Sequence, residues 1–412
     1  MKQLLQCHGK WAIAALNDRA FLFQLDSERT TELLPASSDD KISNDENPIQ
    51  AVALAEESGM LWCAVTTMDK CLWLYCVDPN EATSKQEPKT THTTIKRVGA
   101  VSFGRVPTAP VKDESDRLSE KGALVCCTAG LTGDAWAWSL EKSGKKRLLL
   151  GHTASMLTGI KVKGNAILTS DRDEKIRVTA FPDTSIIRGF LFGHEAYISG
   201  MDAATSPEKS ICASCSGGDG TVRLWNYETT QLLDTLKPTK NTDINSSTPS
   251  RVCIDAEANT IGVIYDQSND LDIFSIEKDS DGKEKSLKPV QSINCSSQPL
   301  SITFVEGGIV VLQTEPTYIQ TYRPNSSQTW EPVDLVSCSA IQNLATESKI
   351  TMPDSVLEKD QHGQTTMSKQ SETRGGAARP IEEMPWNRSE RVDIAKERSK
   401  RHKRRRKQKQ GD

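Results

Sequence analysis

LLLGHTASMLTGIKVKGNAILTSDRDEKIRVTAF (residues 148–181) and FGHEAYISGMDAATSPEKSICASCSGGDGTVRLWN (residues 192–226) are two copies of one unit. Each opens on Gly-His, at Gly151-His152 and again at Gly193-His194. Each then passes two short apolar runs, reaches an Asp in a polar turn (Asp173, Asp219) and closes on an alternating strand. The histidines stand 42 positions apart, which fits the roughly 40–45 residues of one four-stranded propeller blade. The expected fold is therefore all-β, a seven-bladed β-propeller over residues 1–330, with its clearest repeats at 148–184 and 190–236.

Working outward, WAIAAL and AFLFQL flank Asn17-Asp18-Arg19, a hairpin signal that places a first blade at the N-terminus. AVALA, LWCAVTT and KCLWLYCV make a second, with Asp69 in its turn; VGAVSF, ALVCCTAG and DAWAWSL make a third around Thr132-Gly133-Asp134. RVCIDAE, TIGVIYD and LDIFSIE, then LSITFVE, IVVLQTE and TYIQTYR, supply a sixth and a seventh. Residues 78–96 and 106–121 are rich in charge, Thr and Pro without apolar periodicity and read as surface loops. Residues 331–387 show no regular pattern and are expected to be an irregular, largely disordered linker. Residues 388–412 form a basic tail whose residue types favour a helix starting at Ser389, held back by its like charges.

The formal net charge of −4 hides an asymmetry. Residues 396–412 carry ten Lys or Arg against Glu397 and Asp412, net +8, which leaves −12 on the remainder. An acidic body with a basic tail implies an anionic partner for the tail. The eleven cysteines are scattered without framework spacing, as expected of reduced thiols in an intracellular protein. No apolar run reaches the length of a membrane span, and the first residues lack a cleavage pattern, so a soluble protein without membrane contact is expected.

The second repeat ends on Leu224-Trp225, the aromatic position of a WD repeat. In such a blade the histidine, a strand hydroxyl, the turn Asp and the Trp form a buried hydrogen-bonded chain. His194, Asp219 and Trp225 fit it, with Ser214 or Ser216 as the hydroxyl. In the preceding repeat His152, Thr169 and Asp173 fit, but Thr179 stands where Trp belongs. Because this triad recurs blade by blade as architecture, it is assigned a structural role and no catalytic residue is assigned. Cys212 and Cys215 form a CxxC on an expected strand, where residues three apart point to opposite faces, and no second pair completes a metal site. No metal and no cofactor motif is assigned; the glycines at 217, 218 and 220 belong to a hairpin turn.

The two repeats serve as controls for each other. DGTVRLW is regular, whereas DEKIRVT puts Glu174 for Gly220, Lys175 for Thr221 and Thr179 for Trp225. Asp171 and Arg172 add charge, so all five residues from Asp171 to Lys175 are charged, more than a hairpin turn requires. Exposed ion pairs contribute only about 0–1 kcal/mol each, so stability does not account for the cluster. It is either a solvated turn or a mixed-sign surface that sets the register of a partner. The tail residues Arg398, Lys400, Arg401, Lys403, Arg404, Arg405, Arg406, Lys407 and Lys409 read as a nuclear import signal, an RNA-binding arm or both. Without interleaved aromatics they would contact phosphates and leave base sequence unread.

ILTSDRDEKIRV, followed by FGHEAYIS and SGGDGTVRLW, resembles the non-catalytic WD-repeat subunit of the eukaryotic tRNA (guanine-N7)-methyltransferase. The close match covers residues 148–226. The resemblance implies a heterodimer with a separate catalytic subunit, which binds S-adenosylmethionine and forms 7-methylguanosine in the variable loop of tRNA. On that reading this chain is not itself an enzyme and holds no cofactor, and it works in the nucleus, alone or together with the cytoplasm. The resemblance also puts Asp171, Arg172, Asp173, Glu174, Lys175 and Arg177 at the partner interface, with Lys175 first and Arg177 next as intersubunit ion-pair donors. The competing reading is a general WD-repeat scaffold in a nuclear RNP or chromatin assembly. A self-sufficient hydrolase would need convergent acids or a metal cluster that the sequence lacks.

Overall fold

The structure, a computed structural model, describes residues 2–35, 47–81, 84–106, 122–141, 145–153, 155–203, 210–238, 248–255, 257, 259–278, 284–347, 350 and 352–353. The tail from Arg398 to Lys409 lies outside the described residues, as does most of the linker.

Short runs rich in Val, Ile, Leu and aromatic residues, split by polar turns, pair into seven antiparallel four-stranded meanders. Blade 1 comprises Leu5–His8, Trp11–Leu16, Arg19–Gln24 and Thr30–Leu33; Lys85–Gln86 adds a short parallel strand to its outer edge. Blade 2 comprises Ile49–Glu57, Met60–Thr67, Cys71–Val77 and Thr90–Thr93. Blade 3 runs through Val98–Val106, Ala123–Gly130, Asp134–Ser139 and Lys146–Gly151, and blade 4 through Leu157–Lys163, Ala166–Asp171, Ile176–Ala180 and Ile187–Leu191. Blade 5 holds Ile198–Ala203, Ile211–Ser216, Val222–Asn226 and Gln231–Leu236. Blade 6 holds Thr248–Asp255, Thr260–Asp266, Asp270–Lys278 and Glu284–Asn294, and blade 7 Pro299–Val305, Gly308–Gln313, Ile319–Pro324 and Trp330–Val333.

The core is divided among the gaps between neighbouring blades. Leu168, Ile176 and Val178 of blade 4 meet Met201, Cys212 and Trp225 of blade 5 in one buried cluster. The other face of blade 5 sends Ala213, Cys215 and Leu224 into the cluster shared with blade 6. Cys212 and Cys215 therefore sit buried on opposite faces of one strand. Burial pushes both thiols up, that of Cys215 to about 12. No helix among the described residues is long and apolar enough to cross a membrane.

Two sequence expectations need correction. The stretch 78–96 is not all loop: Thr90–Thr93 is the outer strand of blade 2, and Lys85–Gln86 pairs with blade 1. An outer strand is covered on little of its surface, so it carries no apolar alternation for periodicity to find. Nor does ordered structure stop at residue 330. Blade 7 ends at Val333, and a helix follows at Val336–Glu347. Its buried stripe is narrow and small: Cys338, Ile341 and Ala345 join the cluster shared by blades 7, 1 and 2. Ser337 Oγ donates to the Leu25 carbonyl at 2.9 Å, and the Tyr318 backbone N–H donates to Gln342 Oε1 at 2.9 Å. The helix thus touches blade 1 and blade 7 across the seam where the first and last blades meet.

Candidate partner-binding surface

In an antiparallel meander, the turn between the second and third strands lies on the same rim as the crossing into the next blade. That puts Asp171–Lys175 and Gly151-His152 together on one rim of blade 4. Blade 5 shows the regular arrangement. Trp225 Nε1 donates to Ser214 Oγ at 2.8 Å, His194 Nε2 lies 2.8 Å from the same hydroxyl, and His194 Nδ1 lies 2.8 Å from Asp219 Oδ2. A chain in which the indole donates to Ser214, Ser214 to Nε2 and Nδ1–H to the carboxylate satisfies every member. The hydroxyl is therefore Ser214; Ser216 Oγ accepts from the turn at Asp219 N, 3.3 Å away. Burial opposes ionisation of Asp219, but the bonds from His194, Glu195 N–H and Thr221 outweigh it and hold the carboxyl at about 2.

Blade 4 corrects the sequence register. His152 Nε2 lies 2.9 Å from Thr169 Oγ1 as expected, but Nδ1 lies 2.9 Å from Asp171 Oδ2, not from Asp173. The cause is turn length. In blade 5 the hairpin closes between Ser216 and Thr221, whereas in blade 4 it closes between Asp171 and Lys175, one residue tighter. With the turn Asp out of reach, the last residue of the strand supplies the carboxylate. Asp171 is completely buried, accepts from Lys175 N–H at 3.1 Å and has Lys175 Nζ 3.6 Å away. It is an architectural residue with no surface left to offer a partner.

In the rest of the turn Glu174 is exposed, Asp173 and Lys175 are partly exposed, and Arg172 is mostly covered. Arg172 Nε lies 3.3 Å from Asp173 Oδ1. Glu174 is exposed and sits in the left-handed region at φ 75°, the conformation Gly220 holds at φ 70° in blade 5. Lys175 keeps about a third of its side chain in solvent, 34%. Burial, and next the neighbouring Asp173, push the Glu174 carboxyl up. Arg177 turns to the residue that stands where Trp belongs: Nε donates to the buried Thr179 Oγ1 at 3.0 Å, and NH1 donates to the Gly151 carbonyl at 3.1 Å. The residues from Arg172 to Arg177 therefore hold two acids and three bases on a rigid edge, suited to recognising charged side chains. No nucleophile or metal cluster accompanies them among the described residues.

A cavity of about 780 Å³ opens on the opposite rim. Most of its cations are committed internally, Lys161 to Asp202 at 2.9 Å, Arg105 to Glu57 and Arg188 to Asn165 Oδ1 at 3.0 Å. The charged turn, which carries more charge than its hairpin requires, is the candidate for recognition.

Residues 138–337, which contain the turn and blades 4 to 7, match the family model described as the tRNA methyltransferase TRM82 WD40 domain. Over that segment, just under half of its length, the chain is similar to the TRM82 WD40 domain. Its relatives include the tRNA (guanine-N(7)-)-methyltransferase non-catalytic subunit wuho of Aedes aegypti, 35% identical over 44% of this chain and 42% of that protein. The subunit of the same description from Homo sapiens, WDR4, is 30% identical over 52% of each chain. The chain thus spans about half the length, or less, of these relatives. Among solved structures, a chain of the mitotic checkpoint complex superposes with TM-score 0.57 at 14% identity, covering 80% of this chain and 86% of that one. The Cps50 (Swd1) propeller of Myceliophteria thermophila gives 0.56 at 9% identity, covering 77% of this chain and 95% of that one. At such identities these two show the propeller fold alone. In the matched segment the charged turn alone does not reveal the aromatic pair Phe190 and Phe192; the contrast of FLFGH with LLLGH is the signal that marks it.

Proposed function

We propose that this chain is the non-catalytic subunit of a tRNA (guanine-N7)-methyltransferase, performs no chemistry itself, and docks a separate S-adenosylmethionine-dependent catalytic subunit through the exposed turn of blade 4. The observation that carries the reading is the family match over residues 138–337, which includes the turn whose charges the propeller does not need. In this reading Arg172, Asp173, Glu174, Lys175 and Arg177 meet the catalytic subunit as a heterodimer, and Asp171 supports them from beneath. A rigid rim that binds the active conformation of its partner better than the inactive one shifts the population toward activity. The basic tail adds phosphate contacts to the bound tRNA or directs nuclear import, and the complex acts in the nucleus, alone or together with the cytoplasm.

The test is to deplete this protein and measure 7-methylguanosine in tRNA, then to restore it with the wild-type chain or with Lys175→Met/Arg177→Ala. Loss of the modification, rescued by wild type and not by the double variant, is expected. Undiminished 7-methylguanosine after depletion would leave only the general scaffold reading.

A further inference from the structure

Arg177 and Phe190 are directly opposed across the third and fourth strands of blade 4, so their side chains share one face of the sheet. Phe192, two residues on, lies on that same side and stacks on Phe190 with ring centroids 5.3 Å apart and planes 20° from parallel. Phe192 is 64% exposed. Blade 3 gives the comparison: Leu150, which faces Ala135, corresponds on the ladder to Leu191, which faces Ile176, and both are buried, at 5% and 1% exposed. Gly151-His152 follows Leu150 directly, whereas Phe192 is an additional residue between Leu191 and Gly193-His194, and the propeller gains nothing from an aromatic ring left in water there. Lys175, Arg177 and the two phenylalanines make one continuous patch of basic and aromatic side chains, the composition that dominates interface energetics.

We propose that Phe190 and Phe192 are the apolar anchor of the surface that docks the catalytic subunit, with the charged turn as its polar rim, an inference that rests on the function proposed above. The occupant is a folded protein that sets an apolar side chain on the open face of Phe192 and carboxylates opposite Lys175 and Arg177. RNA fits this patch less well, because Asp173 and Glu174 place two carboxylates beside it that would repel phosphates, and Phe190 already covers one face of the Phe192 ring.

The experiment uses the full chain and the purified catalytic subunit, titrated by calorimetry with wild type, Phe192→Ala, Phe190→Ala/Phe192→Ala and Lys175→Met/Arg177→Ala. The expected result is at least a tenfold weaker complex for Phe192→Ala, with an unchanged melting temperature because the ring is mostly in solvent. A photo-crosslinking amino acid at 192 is expected to capture the catalytic subunit in the reconstituted complex. Wild-type affinity for both phenylalanine variants, with weakening only in the charge variant, would overturn the anchor and leave the proposed function standing. Failure of the wild-type chain to bind the catalytic subunit at all would overturn the function itself. Loss of tRNA affinity by the isolated Phe192→Ala chain, with heterodimer affinity intact, would reassign the patch to RNA.

Discussion

Lys175 and His152 share one carboxylate, that of Asp171, which lies 3.6 Å from the ammonium and 2.9 Å from Nδ1. The blade 4 turn is thereby tied to the crossing from blade 3; Asp171 is wholly taken up by that link, while Lys175 keeps a third of its side chain in solvent for recognition. Asp171→Ala removes the acceptor for His152 and for Lys175 N–H together and is expected to cost about 3–5 kcal/mol, as for breaking a buried ion pair. Asp173→Ala, at the turn tip, is expected to stay within about 0.5 kcal/mol of wild type. Urea unfolding of the two variants separates them. Equal costs would contradict the register found here.

Glu174 holds a left-handed backbone that favours glycine. Glu174→Gly restores the blade 5 turn and should leave the protein as stable or up to about 1 kcal/mol more stable. If the turn docks the catalytic subunit, the same variant binds it more weakly. A gain in melting temperature accompanied by a loss of affinity is the expected pairing, and affinity at or above wild type would remove Glu174 from the interface.

Lys175→Glu would place a second carboxylate beside Asp171 and mix misfolding with lost recognition. Lys175→Met avoids this by keeping the aliphatic stem without the charge. It is expected to cost no more than ~1 kcal/mol of stability, in the range of partly exposed pairs. Complex formation should weaken and become less sensitive to salt, measured as the dissociation constant between low and physiological ionic strength.

Asp219 carries an acid-side prediction. Its carboxyl is lowered from an ordinary 3.8 to about 2 in the folded protein. A depressed carboxyl contributes stability that is fully present above the unfolded value and lost as pH falls through the folded one. The contribution is roughly 2 kcal/mol, lost between about pH 4 and pH 2. Asp219→Asn should flatten that part of the stability curve, followed by denaturant melts across the window.

The helix Val336–Glu347 is expected to hold the ring seam. Ile341 is fully buried, and Ile341→Ala should cost about 2–4 kcal/mol. Ending the chain at Leu335 should cost at least as much, since it uncovers apolar side chains of blades 7 and 1 together. Hydrogen exchange is expected to rise first in Leu5–His8 and Pro299–Val305, the inner strands on either side of the seam. Unchanged exchange there would make the helix an ornament.

The sequence by itself determined the propeller and its repeating chain of hydrogen bonds. Gly-His, the strand hydroxyl and Trp recur at fixed offsets because each blade must satisfy the same buried groups at the same places, so His152, Thr169, His194 and Trp225 were legible from spacing alone. It also marked the turn of blade 4 as carrying more charge than a hairpin needs. Three matters were decided only in three dimensions. Asp171 displaces Asp173 because a turn one residue shorter changes which carboxylate reaches His152, and spacing cannot measure reach. The helix at Val336–Glu347 is stabilised by the two blades it touches, while its own buried stripe of Cys338, Ile341 and Ala345 is too narrow to announce it. Phe192 is exposed beside the buried Leu191, because burial depends on what distant segments cover a position and not on the residue that occupies it.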